Sequence, residues 1–178
     1  MSLRAVIFVA WGLFGLGWLI AAVGAKEGAR TRQFPASGLL VVAGFVVLRV
    51  LKAGSAAVRS PILQLIGMFL FLCGLGLAVW ARIYLGRNWG MPMAQQDEPE
   101  LITAGPYRFV RHPIYSGLLL AVLGTALATN IYWLIAVALL GIYFVYSARV
   151  EERLLTSSFP AAYPSYRAKT KMLVPFVL

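Results

Sequence analysis

Residues 61–85 read PILQLIGMFLFLCGLGLAVWARIYL, an apolar run that carries a single charge, Arg82. A helix needs about 20 mostly apolar residues to cross a bilayer, because the hydrocarbon core is about 30 Å thick. Pro61 suits the first turn of such a helix, where a backbone N–H would be unpaired in any case. The run therefore predicts a membrane-spanning helix over 62–85.

The rest of the chain is similarly apolar. Of its 178 residues, 61% are hydrophobic and 12% are charged, whereas soluble domains carry about 25% charged residues. Further apolar runs lie on both sides of residues 61–85, and we expect a single all-α integral membrane domain over 1–178, with five transmembrane helices. The predicted spans cover residues 3–25, 36–51, 62–85, 114–128 and 131–148.

Basic residues are distributed unevenly around the predicted spans. Twelve of the sixteen Lys and Arg residues fall on the side that holds the polar segment 86–113 and the C-terminal tail. By the positive-inside rule, this side is cytoplasmic and the N-terminus lies outside. We place the chain in a prokaryotic plasma membrane, which suits its small size. The net charge is +10, and the basic residues lie between apolar runs. This distribution favours lipid headgroups over nucleic acid as the partner.

The polar segment 86–113 is too long to be a simple link between two helices. Pro106 and Pro113 disfavour helical backbone at the residues before them, and irregular backbone at membrane depth occurs where it is buried in protein or lines a cavity. The segment could therefore hold a ligand, or it could be a cationic loop on lipid headgroups. The chain has one histidine, His112, and one cysteine, Cys73. A zinc site needs several such ligands, so we expect no metal.

Two adjacent carboxylates, Glu151 and Glu152, follow the last predicted span. The dipole of a helix disfavours negative charge at its C-terminal end by about 0.3–1 kcal/mol. One interpretation is a surface pair with Arg149 and Arg153, since exposed ion pairs are common and weak. The other is that one carboxylate turns inward and accepts hydrogen bonds from a cationic or hydroxyl-rich ligand.

Four motifs, in this order, resemble the isoprenylcysteine carboxyl methyltransferase family and its phospholipid methyltransferase relatives. They are LGRNW at 85–89, LITAGPYRFVRHPIYSG at 101–117, EERLL at 151–155 and FPAAYPSYRAKTKMLVPF at 159–176. The resemblance implies a metal-independent methyltransferase that uses S-adenosylmethionine. It also implies a catalytic part over about 86–178, with the cofactor at the cytoplasmic face between the segment that joins the third and fourth spans and the C-terminal tail.

The resemblance implies site residues position by position. Arg111 matches the usual companion of the family's histidine. The residues that match cofactor contacts, or the backbone beside them, are Leu101, Ile102, Gly105, Tyr107, His112, Pro113, Ile114, Tyr115 and Glu151.

The chain departs from the family pattern at two positions. The family has an acceptor-binding arginine about one turn before the first glutamate, and this chain has Ser147 there. Arg149, half a turn away from that position, is the catalytic residue that we expect to replace it. A glutamine that contacts the cofactor in the family falls on Pro92, with Gln95 and Gln96 as possible substitutes.

The expected reaction is methyl transfer to a lipophilic small acceptor that enters from the bilayer, a carboxylate of isoprenylcysteine type. Transfer from a sulfonium is an in-line displacement that depends on orientation and on exclusion of water. Two other enzymes remain open, a phospholipid amine N-methyltransferase and an NADPH-dependent membrane reductase of the sterol type. A transporter is disfavoured, because transport paths place polar residues inside several spans, and the span interiors here hold only Arg49 and Arg82 as charges.

Overall fold

A computed structural model describes residues 2–22, 28–29, 56–89, 95–96 and 100–175. Two-residue strands at Gly28–Ala29 and Gln95–Gln96 pair antiparallel, and the other regular elements of the described residues are helices. This confirms the all-α expectation. Its α-helices are α1 (Leu3–Ala22), α2 (Pro61–Leu85), α3 (Pro113–Ala128), α4 (Trp133–Ser158) and α5 (Ala162–Lys169).

Three of the described helices, α1, α2 and α4, are long and apolar enough to cross a membrane, and α3 is a shorter apolar helix. The predicted span 36–51 lies outside the described residues. The predicted span 131–148 corresponds to the first part of α4, which continues as a helix to Ser158. The apolar run ends at the predicted boundary, but the following Glu, Arg and Leu residues favour helix as strongly as the run itself.

Glycines bring the backbones of α2 and α3 into direct contact. A Cβ on Gly74 would lie 2.4 Å from the amide nitrogen of Ala121. A Cβ on Gly124 would lie 2.3 Å from the amide nitrogen of Phe71. Membrane helices pack through such small residues, because lipid provides no hydrophobic force between them and close van der Waals contact must hold them together. The glycines at this contact are Gly67, Gly74, Gly117 and Gly124.

α1 packs against this helix pair and is tied to it at two levels. The indole of Trp11 donates a hydrogen bond to the hydroxyl of Thr125, at 3.1 Å. Near the other end of α1, the guanidinium of Arg82 donates to the carbonyl of Ala21, at 2.8 Å, and to that of Gly86, at 2.5 Å. Arg82, the charge predicted inside the third span, therefore lies near the end of that span. Its guanidinium binds carbonyl groups that the ends of α1 and α2 leave without a helical hydrogen bond.

The direction of the helices gathers the candidate residues at one end of the molecule. Gly67 of α2 contacts the end of α3, and Gly74 contacts α3 closer to its beginning, so α2 and α3 are antiparallel. α4 follows α3 after a tight turn, in which the side chain of Asn130 accepts from the amide of Tyr132, at 2.9 Å. The end of α2, the beginning of α3 and the end of α4 consequently lie on the same side.

Candidate active site

The C-terminal tail lies against the residues that precede α3. Val110 and Lys171 form an isolated parallel bridge. The amide of Arg111 donates to the carbonyl of Lys171, at 2.8 Å, and the amide of His112 donates to the carbonyl of Met172, at 3.0 Å. Proline at the next position keeps His112 out of the helix, so its amide is available to the tail.

Glu152 is buried on α4 and meets three cationic or potentially cationic groups. Its Oε1 accepts a hydrogen bond from Nε of Arg111, at 2.6 Å. The same oxygen lies 3.5 Å from Nε2 of His112, and Oε2 lies 3.5 Å from Nε of Arg167. Its side chain is 5% exposed, and a carboxylate buried this deeply is stable only when it is paired.

Arg111 joins this carboxylate to the tail. Its Nη1 donates to the carbonyl of Thr170 and to the carbonyl of Arg167, at 3.3 Å. In the first turn of α3, the hydroxyl of Ser116 donates to the carbonyl of Leu173, at 2.5 Å. Side chains from the polar segment and from α3 thus hold the tail through its backbone.

Glu151 points to α3 rather than to the tail. It accepts a hydrogen bond from the hydroxyl of Tyr115, and its Oε2 lies 3.4 Å from Nδ1 of His112. The ring of Tyr115 stacks between those of His112 and Phe144, with centroids 5.5 Å and 4.5 Å away. The side chain of Glu151 is 25% exposed, so a second group can reach this carboxylate.

His112 lies between the two carboxylates. Burial lowers the pKa of His112, but the nearby carboxylates of Glu151 and Glu152 outweigh burial and raise that pKa above its usual value of 6.5. Nε2 is buried and has no hydrogen-bond partner among the described residues, so its contact with Glu152 is electrostatic. The two carboxylates therefore stabilise the protonated form of this imidazole relative to that of a histidine in water.

Three tyrosines complete the surroundings of the cluster. The hydroxyl of Tyr166 donates to the carbonyl of Tyr107, at 2.6 Å. Burial raises the pKa of Tyr166 to about 12, and it raises the pKa values of Tyr107 and Tyr163 further. These phenols therefore stay neutral near pH 7 and provide no base.

The structure brings together three of the predicted cofactor contacts, His112, Tyr115 and Glu151. Tyr107 is tied to the same region through Tyr166. Ile114 packs against the apolar side of the cluster. Of the others, Pro113 is buried, Leu101 and Ile102 are partly buried, and Gly105 lies in a 3₁₀ turn.

Arg149 lies outside this cluster. It is exposed, about half a turn around α4 from Glu151, and its carbonyl accepts from Nε of Arg153, at 3.3 Å. Ser147, at the family's arginine position, is fully buried. The catalytic role of Arg149 stays a prediction. Pro92 and the side chains of Gln95 and Gln96 lie outside what the structure describes.

Glu152 is the site residue that the sequence reasoning missed. The alternative of a surface pair with Arg149 and Arg153 is wrong for this residue, because Glu152 is buried and pairs with Arg111. The signal was its helical spacing: Phe144, Ala148 and Glu152 are four residues apart and form one buried line on α4. Phe144 and Ala148 at this spacing indicate one packed face of the helix, and Glu152 is the next residue on that face.

Gly105 gives a test of the turn that precedes the cluster. Its φ is +59°, and a Cβ there would lie 2.5 Å from the ring of Tyr84. Gly105→Ala should therefore cost about 1–2 kcal/mol in backbone strain and a further amount for displacing the ring. Thermal unfolding in detergent measures the loss.

The matched control is Gly86→Ala. Gly86 has a φ of +55° and nothing within 4 Å of a Cβ, so that variant carries the strain without the clash. Equal melting temperatures for the two variants would contradict the tight contact between Gly105 and Tyr84.

The family model for phospholipid methyltransferase matches residues 62–162 of this chain. The cobalt-zinc-cadmium resistance protein CzcN of Cupriavidus metallidurans is 34% identical over 119 residues, which cover 65% of this chain and 50% of that protein. The protein-S-isoprenylcysteine O-methyltransferase of Schizosaccharomyces pombe is 30% identical over 112 residues, covering 60% and 48%. The chain thus spans about half the length of the curated relatives it matches.

The fold is similar to that of a solved membrane enzyme. That enzyme is the eukaryotic intramembrane Ras methyltransferase ICMT, an isoprenylcysteine carboxyl methyltransferase, with a TM-score of 0.60 and 22% identity. The similarity covers 84% of this chain and 54% of that chain. At this identity the likeness concerns the fold.

The family match and the site overlap. Residues 62–162 include α2, α3 and α4, and with them His112, Tyr115 and both carboxylates. The match extends over more than half of the 178 residues. The chain, an integral membrane protein, belongs to the phospholipid methyltransferase family.

Proposed function

We propose that this protein transfers a methyl group from S-adenosylmethionine to a lipophilic acceptor that reaches the site from the bilayer. The observation that carries the proposal is the position of Glu151. Its carboxylate is held by Tyr115 and His112, remains partly exposed, and lies near the end of a membrane-spanning helix beside the beginning of α3. A carboxylate in such a place binds ammonium or hydroxyl groups through charge-assisted hydrogen bonds.

The described residues fit this cofactor. Glu151 would accept hydrogen bonds from its amino or ribose hydroxyl groups, and its negative charge would attract the sulfonium. When bound, S-adenosylmethionine would supply the methyl group as an electrophile.

A carboxylate of isoprenylcysteine type is the acceptor that we propose. The three tyrosines around the cluster stay neutral near pH 7, so they provide no base. A carboxylate acceptor needs none, because it is already an anion near pH 7. The exposed guanidinium of Arg149 could bind that carboxylate near the headgroup region.

A phospholipid amine is the second candidate acceptor, and the description of the family model favours it. An ammonium group must lose a proton before it accepts a methyl group, which requires a base.

We propose the prokaryotic plasma membrane as the location, with the N-terminus outside and the cofactor site on the cytoplasmic face.

Ligand stabilisation tests the cofactor. Thermal unfolding of the full chain in detergent should shift upwards with S-adenosylhomocysteine, by about 2.7 kcal/mol in stability at 100 times the dissociation constant. Stabilisation by NADPH alone would contradict the proposal and favour the membrane reductase. Incubation with radiolabelled S-adenosylmethionine and either a prenylated cysteine or an aminophospholipid then identifies the acceptor.

A further inference from the structure

Exposed cations collect at the end of the molecule that holds the candidate site. Within residues 100–175, the exposed carboxylate is Glu100, because Glu151 is partly buried and Glu152 is buried in the cluster. Positive charge therefore dominates the exposed surface of this part of the chain. Besides Arg149, the exposed cations here form what we call the basic face: Arg108, Arg153, Arg167, Lys169 and Lys171.

Backbone contacts make the basic face continuous. Lys171 pairs with Val110, which places it beside the 3₁₀ turn that carries Arg108. Arg111 binds the carbonyl of Arg167, so α5 and the tail are held against the same segment. The segments that carry Arg108, Arg167 and Lys171 therefore lie together, although about 60 residues separate Arg108 from Arg167 in the chain.

Apolar side chains lie among these charges. Phe109 is 54% exposed, and the guanidinium of Arg108 lies over its ring, 5.4 Å from the centroid. Val174, three residues after Lys171, is 49% exposed. Exposed aromatic and aliphatic groups among Lys and Arg are typical of surfaces that insert into the interface of a bilayer.

The length of α4 places the basic face at the level of lipid headgroups. Its 26 residues extend over about 39 Å at 1.5 Å per residue, which exceeds a hydrocarbon core of about 30 Å. The last turns of α4, with Arg153, therefore project beyond the core. α5 and the tail pack at this same end.

We propose that the basic face binds the headgroups of anionic phospholipids in the surrounding leaflet. Lys and Arg near an anionic surface are attracted to its headgroups, and the exposed Phe109 adds an apolar anchor. A soluble acidic partner fits less well, because the spanning helices keep this surface next to the bilayer. The interaction is independent of methyl transfer.

Lipid selectivity of the reconstituted full chain tests the proposal. Electron paramagnetic resonance of spin-labelled phosphatidylglycerol and phosphatidylcholine measures their relative association with the protein. We expect a severalfold preference for phosphatidylglycerol at low salt. The preference should nearly vanish at about 1 M salt, where the Debye length is about 3 Å.

The variant Arg108→Gln/Lys171→Gln removes two cations of the basic face whose side chains lie outside the candidate site. Its preference should fall by roughly twofold or more. The matched control is Arg108→Lys/Lys171→Arg, which keeps both positive charges at the same positions and should keep the wild-type preference. Equal association of both lipids with the wild type, or an unchanged preference in the double variant, would overturn the proposal. Because the assay contains no cofactor or acceptor, its result is separate from that of the methyl-transfer test.

Discussion

Replacing Glu151 with glutamine should weaken the binding of S-adenosylhomocysteine by about tenfold to a hundredfold, because a hydrogen bond to a charged group contributes about 1.5–3 kcal/mol. The amide keeps the shape of the carboxylate and can still accept from Tyr115, but the negative charge beside His112 is lost. Isothermal titration calorimetry of the detergent-solubilised protein measures the dissociation constant. Thermal unfolding of the unliganded variant shows whether it remains folded at the temperature of the titration.

Glu100→Gln is the matched control for that variant. Glu100 is exposed and accepts a hydrogen bond from Asn88, at 2.8 Å, outside the cluster around His112. Its replacement removes one carboxylate from the same end of the molecule and should leave the affinity within about twofold, as for most surface substitutions. Unchanged affinity in a folded Glu151→Gln variant would show that Glu151 has only a structural role.

Gly124→Ala should destabilise the fold by about 1–3 kcal/mol or more, the range for overpacked interiors. The new methyl group would lie 2.3 Å from the amide nitrogen of Phe71 and 2.5 Å from the carbonyl oxygen of Gly67. Backbone atoms cannot rotate away as a side chain can, so α2 and α3 must separate along their whole contact. Thermal unfolding in detergent, followed by tryptophan fluorescence, measures the loss.

Gly76→Ala is the control on the same helix pair. A Cβ on Gly76 meets nothing within 4 Å, so this variant should be as stable as the wild type or more stable by about 0.5–1 kcal/mol, since alanine favours helix over glycine. If Gly124→Ala unfolds at the same temperature as Gly76→Ala, the direct backbone contact between α2 and α3 does not exist.

Separation of α2 and α3 should also affect the site. α3 carries Tyr115, and its first residue, Pro113, follows His112. A shift of α3 would change the distances from both side chains to Glu151 on α4. The glycine contact and the cofactor cluster are therefore linked through a single rigid helix, although they lie at different depths.

Helix positions were predictable, because an apolar run of sufficient length can satisfy its backbone in lipid only as a helix. The boundaries of α2 and α3 agree with the predicted spans to within one residue. The end of α4 was not predictable from apolar runs, since the helix continues through Glu151 and Arg153 with polar residues that tertiary contacts hold in place. His112, Tyr115 and Glu151 were found through the family motifs.

The sequence by itself determined that this chain spans a membrane, that its polar residues collect in two segments, and that those segments resemble a methyltransferase site. These are local properties, readable from composition and order. Only the tertiary structure decided which of two adjacent carboxylates is buried. Glu151 and Glu152 lie 100° apart around α4. Which of them is buried depends on Arg111, whose guanidinium is bound in turn by the carbonyl of Thr170 in the tail, 59 residues after Arg111 in the chain. Contacts between distant segments depend on packing in three dimensions, which residue order alone does not specify.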